Sequence, residues 1–245
     1  MTSGTNKIPK IITIILVLIL LIVVEGGCMK TREGYQNISE SAINFLEEKY
    51  NREFTFCSYE GGDYLSKIDY IHCLTEGMDS EHERVTVTVK EEEGKTVFKD
   101  DYFSYMVRPE LESYISNIIS DEFPEVKVYV DNREDYLSNE LTYKSTLDDL
   151  YRIESSYWAD VKIYIKGDAQ ISTEEYAEKM QHIEDRLRES GHAYTIYMFA
   201  VSPEVYGSIG RYEQTDFWNY YATHRVPDGD QYYYSLQKNI TGGES

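Results

Sequence analysis

The stretch VKIYIKGDAQISTEEYAEKMQHIEDRLRESGHAYTIYMFAV, residues 161–201, decides the fold class. Val161, Ile163 and Ile165 alternate with Lys162, Tyr164 and Lys166, the period-two pattern of a strand with one covered face. Ser172 and Glu175 then form a capping box ahead of Tyr176, Met180, Ile183 and Leu187 at helical spacing, and Gly191 is placed to end that helix. Tyr194 to Val201 is nearly all apolar, as a strand buried on both faces would be. Strand, helix, strand in that order predicts a crossover unit, most simply parallel and right-handed.

Upstream, the pattern changes. Asn37 and Glu40 stand three apart ahead of Ile38, Ala42, Phe45 and Leu46, which predicts an amphipathic helix over Asn37 to Tyr50. Strands are expected at Phe54–Tyr59, Tyr70–Leu74, Glu83–Lys90 and Thr96–Lys99. In the third of these Val85, Val87 and Val89 share one face, and Glu91-Glu92-Glu93-Gly94 makes a turn into the fourth. Pro109 suits the first turn of a helix carrying Leu111, Tyr114, Ile115, Ile118 and Ile119 on its apolar face. Val126, Val128 and Val130 alternate as a strand. Asp131 to Tyr143 is polar and irregular and marks the expected domain boundary, after which Ser145 and Asp148 suggest a short capped helix with Leu147, Leu150 and Tyr151.

The fold class is therefore α+β: an N-terminal helix with an antiparallel meander, then a smaller β-α-β unit with room to extend the same sheet. The chain divides into residues 1–27 as signal peptide or membrane anchor, 28–36 as tether, 37–130 as an α+β domain and 131–245 as a second α/β unit. Residues 217–221 are expected in a short terminal helix.

The chain has 245 residues and a formal net charge of −20, and residues 1–27 contribute only Lys7, Lys10 and Glu25 to it. A body so acidic repels polyanions, which argues against nucleic acid as a partner and against adhesion to anionic lipid. Tyrosine is the outlier, with 24 residues against 8 Phe and 2 Trp, a bias that suits strands and half-buried surfaces.

The start, MTSGTNKIPKIITIILVLILLIVVEGGCMK, places Lys7 and Lys10 before an apolar run from Ile11 to Val24 interrupted only by Thr13. A run of about fourteen suits a signal-peptide core better than a spanning helix, which needs roughly 20. Basic residues ahead of it predict a cytoplasmic N-terminus and an exported body. With Gly26, Gly27 and Cys28 after it, the segment resembles a bacterial lipoprotein signal. Glu25 departs from that pattern, where an apolar residue normally stands. The resemblance covers residues 1–28 alone and implies cleavage before Cys28, lipidation of Cys28, and a cell-membrane location with the globular part on the extracytoplasmic face.

Chemical motifs are sparse. Cys57 and Cys73 fall on neighbouring predicted strands, and a hairpin centred near Leu65 would bring them together as a cross-strand disulfide; two reduced thiols are the alternative. His72, His82, His182, His192 and His224 show no zinc-ligand spacing, and no phosphate-binding or GxSxG pattern occurs, so neither cofactor nor metal is implied. Phe217, Trp218, Tyr220 and Tyr221, with Tyr232, Tyr233 and Tyr234, could form a binding platform or simply complete a core. The expected function is a membrane-anchored binding module without evident catalytic site, its partner an envelope protein or a cell-wall polymer. The rival is an exported hydrolase using carboxylates that the fold brings together.

Overall fold

The computed structural model describes residues 32–62, 68–131, 136–168, 170–212 and 232–241. Residues 1–41 and 42–245 cluster as two compact units. In the first, the described residues are helical, with the Ser41 hydroxyl donating to the Asn37 carbonyl at 2.8 Å. That helix, α1 (Arg32–Tyr50), begins before Asn37, so half of the expected tether is helix. Gly34 is the sole poor helix former between Arg32 and Asn37, and the Asn37–Glu40 box is not needed as a start.

The second unit is α+β. Its first sheet is a meander of β1 (Thr55–Glu60), β2 (Ile68–Leu74), β3 (Val85–Glu92) and β4 (Lys95–Asp100), each antiparallel to the next. The β3–β4 turn is tighter than expected: the strands run to Glu92 and from Lys95, and Glu93 (φ 52) and Gly94 (φ 74) alone make it. Positive φ at both central residues gives the hairpin turn whose twist matches the strands, and Gly94 meets it without a Cβ penalty. Val85, Val87 and Val89 are buried on one face together with Ile71 and Cys73, as their spacing predicts. Thr86 and Thr88 on the other face are buried too, each bonded through its hydroxyl, Thr86 to His72 and Thr88 to the Lys99 carbonyl.

α2 (Tyr102–Ser120) corrects a second expectation, because Pro109 lies inside it rather than at its start. The turns before the proline are held from outside. The Asp100 carboxylate accepts the Tyr102 N–H at 2.9 Å, and Tyr102, Phe103 and Val107 are buried. Their burial offsets the hydrogen bond that proline removes.

The remaining strands form their own sheet instead of extending the meander: β5 (Val126–Asp131), β6 (Trp158–Lys166), β7 (Ala193–Val201) and β8 (Tyr232–Ile240), in that order. β6 and β7 are parallel, joined through α4 (Thr173–Glu189), while β5 and β8 flank them antiparallel. The boundary drawn at Asp131 would separate β5 from its own partner, since Val126 pairs with Ile165. The change of sheet comes earlier, between β4 and β5. α3 (Leu147–Ile153) is capped by Thr146 with Asp149 rather than by Ser145 with Asp148. α5 (Pro203–Ser208) follows β7. β8 was not foreseen at all. Residues 217–221 and the apolar run Ile11–Val24 lie outside the described residues. Among the described residues no helix is long and apolar enough to cross a membrane.

α2 packs on β5, and α4 on β8. Leu111, Ile115 and Ile119 of α2 and Ile183 and Leu187 of α4 are fully buried, as are Val161, Ile163 and Tyr164 of β6. Tyr164 and Lys162 break the simple alternation read from the sequence. Tyr164 stacks on Phe199 at 5.5 Å between centroids, in a cluster with Val201 and Ile209. Lys162 reaches Asp131 at 2.6 Å.

Candidate functional site

Most inward-facing charges of the body are matched. Asp100, fully buried, accepts from Lys49 Nζ at 2.7 Å and from the Tyr50 hydroxyl at 2.7 Å. Burial, reinforced by that carboxylate, raises the Tyr50 hydroxyl far above its ordinary range. Glu83 pairs with Arg108 at 2.5 Å. Glu112 pairs with Arg211 at 2.5 Å and also accepts the Val130 N–H. Glu184 meets Arg188 and Lys238; burial opposes its charge, but the two cations prevail and hold its pKa below the usual carboxylate value. These pairs link helices to the strands and loops around them and belong to the frame.

Clefts lined by described residues open on this frame. One, of about 460 Å³, lies on the meander between Ser58, His72, His82, Arg84, Thr86, Asp101 and Tyr105. Its polar groups are committed to neighbours: His72 to Thr86, His82 to Asp79 and stacked on Tyr212, Arg84 to the Ser80 carbonyl. A second, also about 460 Å³, lies where β6 gives way to α4. Its cations are engaged as well, Lys166 with Glu125 and Lys179 over the Phe123 ring.

The third, about 550 Å³, lies between α2, α3 and the turn into β7, within the size range of small-ligand sites. α2 lines it with Glu110, Ser113, Tyr114 and Asn117, spaced i, i+3, i+4, i+7 along one stripe, while Leu111, Ile115 and Ile118 face the core. Tyr114, expected on the apolar face, is instead 38% exposed. The Thr146 cap sets α3 so that Asp148 stands in its first turn, where the helix dipole favours a carboxylate. Gly191 (φ 75) ends α4 and turns the chain into His192. The Ser190 hydroxyl accepts the His192 N–H at 3.2 Å and bonds the Tyr194 hydroxyl at 3.2 Å.

His192 is fixed by aromatic packing. Its ring stacks on Tyr151 at 3.7 Å with 10° between planes, and Tyr114 stands across it at 6.5 Å and 63°. Tyr157 packs on the Tyr151 ring at 5.5 Å. Burial lowers the His192 pKa below 6.5, against an opposing pull from Asp148, so the imidazole is neutral at neutral pH. Burial likewise pushes the Tyr194 hydroxyl up to about 12. Glu110 and Asp148 have neither salt bridge nor hydrogen bond among the described residues, and no Lys or Arg lines the cleft. Both carboxylates are exposed to solvent and give the cleft an acidic rim beside its aromatic corner. Spacing carries the signal for Glu110, Ser113, Tyr114 and Asn117; nothing in the sequence ties them to His192, 75 or more residues away.

The residues singled out from the sequence are not gathered here. Cys28, Phe217, Trp218, Tyr220 and Tyr221 lie outside the described residues. Tyr232 and Tyr234 pair through their backbones with Val201 and Ala200, and Tyr233 lies between them on β8. Cys57 and Cys73 are free thiols. From Ser58 onward the hairpin has the expected register, but a bulge between Phe56 and Ser58 sets Phe56, not Cys57, opposite Cys73. Burial first, then the neighbouring Cys57, pushes the Cys73 thiol up to about 12, which makes it a poor nucleophile. Among the described residues no group of three or more His, Cys, Asp or Glu could hold a metal ion.

No protein-family model matches the chain, and no curated protein matches it. Among solved structures, it is similar to a DUF5037 family protein from Ruminococcus gnavus ATCC 29149, at 19% identity and a TM-score of 0.40, over 69% of this chain and 77% of that one.

Proposed function

We propose that the chain is a membrane-anchored, extracytoplasmic binding module that takes its ligand in the cleft beside His192. The observation that carries this reading is the cleft of about 550 Å³ in which Tyr114 and the His192 ring, held against Tyr151, stand beside two solvent-exposed carboxylates, Glu110 and Asp148. A hydrolase using a carboxylic acid needs a carboxyl raised towards neutral pH. Asp79, Asp149 and Glu184 are instead shifted downwards: Asp79 by a backbone N–H, Asp149 by Arg152, and Glu184 by Lys238 and Arg188 against its own burial. The anchor rests on the lipoprotein-like pattern of residues 1–28, and the candidate partners are an envelope protein or a wall polymer.

The test uses the full chain in detergent, immobilised and exposed to envelope extract from its own cells. Tyr114→Ala and His192→Ala should cut the retained material severalfold while leaving the thermal midpoint within a few degrees of the parent. Retention that neither variant changes would remove the cleft from the function. Protease added to intact cells should digest the body; a fully protected body would contradict the exported location.

A further inference from the structure

We propose that the body carries an internal amide bond between Lys49 and Asp100, made by the protein's own side chains with loss of one water.

Among the described residues this pair stands apart from the other lysine–carboxylate contacts. Lys49 Nζ lies 2.7 Å from Asp100 Oδ2, and the two side chains are 5% and 0% exposed. Lys90–Glu92, Lys162–Asp131, Lys166–Glu125, Lys179–Glu175 and Lys238–Glu184 each have at least one partner open to solvent. Water there solvates the ions and leaves them unreactive. Around Lys49 its place is taken by the Phe45 and Tyr50 rings, with centroids 5.4 and 5.1 Å from Nζ.

The two carboxylate oxygens are held differently, and that asymmetry is what acyl transfer needs. Oδ2 faces the amine. Oδ1 accepts from the Tyr50 hydroxyl at 2.7 Å and from the Tyr102 N–H at 2.9 Å. Both donors are thus aimed at the oxygen where negative charge gathers when a nucleophile adds to Cγ. Burial keeps the Tyr50 hydroxyl protonated, so it remains a donor. A nitrogen 2.7 Å from Oδ2 is at most one carbon–oxygen bond further from Cγ. That puts it under about 4 Å away, close to the roughly 3–3.5 Å from which attack proceeds. The Ser138 carbonyl and the Asn139 amide oxygen accept from Nζ at 3.4 and 3.5 Å and hold it in place.

Proton transfer from Nζ to Oδ2 turns the ion pair into amine and acid, a direction that burial favours because charged forms lose most on leaving water. The Nζ lone pair then adds to Cγ, and the displaced π electrons rest on Oδ1 between its two donors. A second proton passes from nitrogen to Oδ2. The Cγ–Oδ2 bond breaks, Oδ2 departs as water with the bonding pair, and the electrons on Oδ1 restore the carbonyl. Of the ammonium hydrogens, two leave in the water and one stays on the amide nitrogen; nothing is oxidised or reduced. Fixed placement of the two groups supplies the advantage that the same condensation lacks between free molecules in water. The link spans 51 positions of chain and ties the end of α1 to the end of β4, which withdraws freedom from the unfolded chain as a disulfide does.

The test is mass spectrometry of the full chain, kept folded in detergent for several days, then denatured and digested with trypsin. An amide blocks cleavage after Lys49, so residues 33–52 should appear joined to a peptide that begins at Asp100, lighter than their sum by one water. Lys49→Arg keeps the cation but offers no amine, and its digest should give the two peptides separately. Tyr50→Phe removes one donor to Oδ1 and should slow the appearance of the joined peptide about tenfold or more. Unjoined peptides alone from the parent chain would overturn the proposal. So would a loss of water confined to the peptide that begins at Asp100, the mark of a cyclic imide at the aspartate rather than a cross-link.

Discussion

At the scale of single residues, Lys49 and Asp100 do more than match charge. The lysine side chain is only 5% exposed and the aspartate not at all, and they join the end of α1 to the end of β4. Removing one partner from such a pair leaves a buried charge and typically costs ~3–5 kcal/mol. Lys49→Met should therefore lower stability by about that amount in urea denaturation. The double variant with Asp100→Asn should recover a good part of it, because no net charge is then stranded. A loss below ~1 kcal/mol in Lys49→Met would mean that the Tyr50 hydroxyl and the Tyr102 N–H already satisfy the carboxylate. His192 makes a prediction in pH. Burial holds its folded pKa below 6.5, so as pH falls the unfolded chain takes up this proton first. Its contribution to stability is complete above pH 6.5 and declines below it until the folded pKa is passed. Glu110, Asp148, Tyr114, Tyr151 and Tyr194 are the titratable groups around it. Of these Asp148 works against the depression, and in the folded chain it softens the decline. His192→Phe keeps a flat ring and removes the proton, so its stability relative to the parent should rise as pH drops from 7 to 5. A parallel pair of curves would show that the imidazole is not desolvated.

At the scale of elements, α2 shows where local pattern and tertiary packing part. Pro109 is a good first-turn residue, and a reader of sequence starts the helix there. The structure begins it seven residues earlier, because Asp100 caps Tyr102 and three apolar side chains before the proline reach the core. A proline within a helix costs about 3 kcal/mol, less the entropy it removes from the unfolded chain. Pro109→Ala should then raise stability by about 1–3 kcal/mol, read as a higher urea midpoint. A decrease would mean that the helix depends on a bend at this point. β3, β5, β6 and α4 were legible because each carries its own period and, for α4, its own cap, and β7 because its run is almost wholly apolar. β8 was not. Its sequence, YYYSLQKNI, alternates poorly, and its place is fixed by pairing with β7 rather than by its own pattern.

At the scale of the whole molecule, the fold class could be read from residue spacing, since periods of 2.0 and 3.6 are local properties. The partition into sheets could not, because it depends on which strand finds which partner across loops. β5 illustrates this: Val126, Val128 and Val130 announce a strand, yet nothing near them says that Ile165 lies opposite. The same limit hid the cleft. Tyr114, Asp148, Tyr151 and His192 come from three stretches of chain, and only the packing of α2, α3 and the α4–β7 turn brings them together. A histidine with no metal-type spacing looked ordinary, and its aromatic neighbours gave it meaning.

The bulge in β1 has a consequence for self-association at high concentration. Among the described residues β1 is an outermost strand of the meander, paired on one side only, and such a rim is where a second molecule can add its own strand and begin a chain of copies. An extra residue at Cys57 kinks the rim and breaks the even row of donors and acceptors that an incoming strand must match. Phe56, 43% exposed beside it, would otherwise be a sticky handle for aggregation. The irregularity that denied the two cysteines a face-to-face register thus also guards against polymerisation.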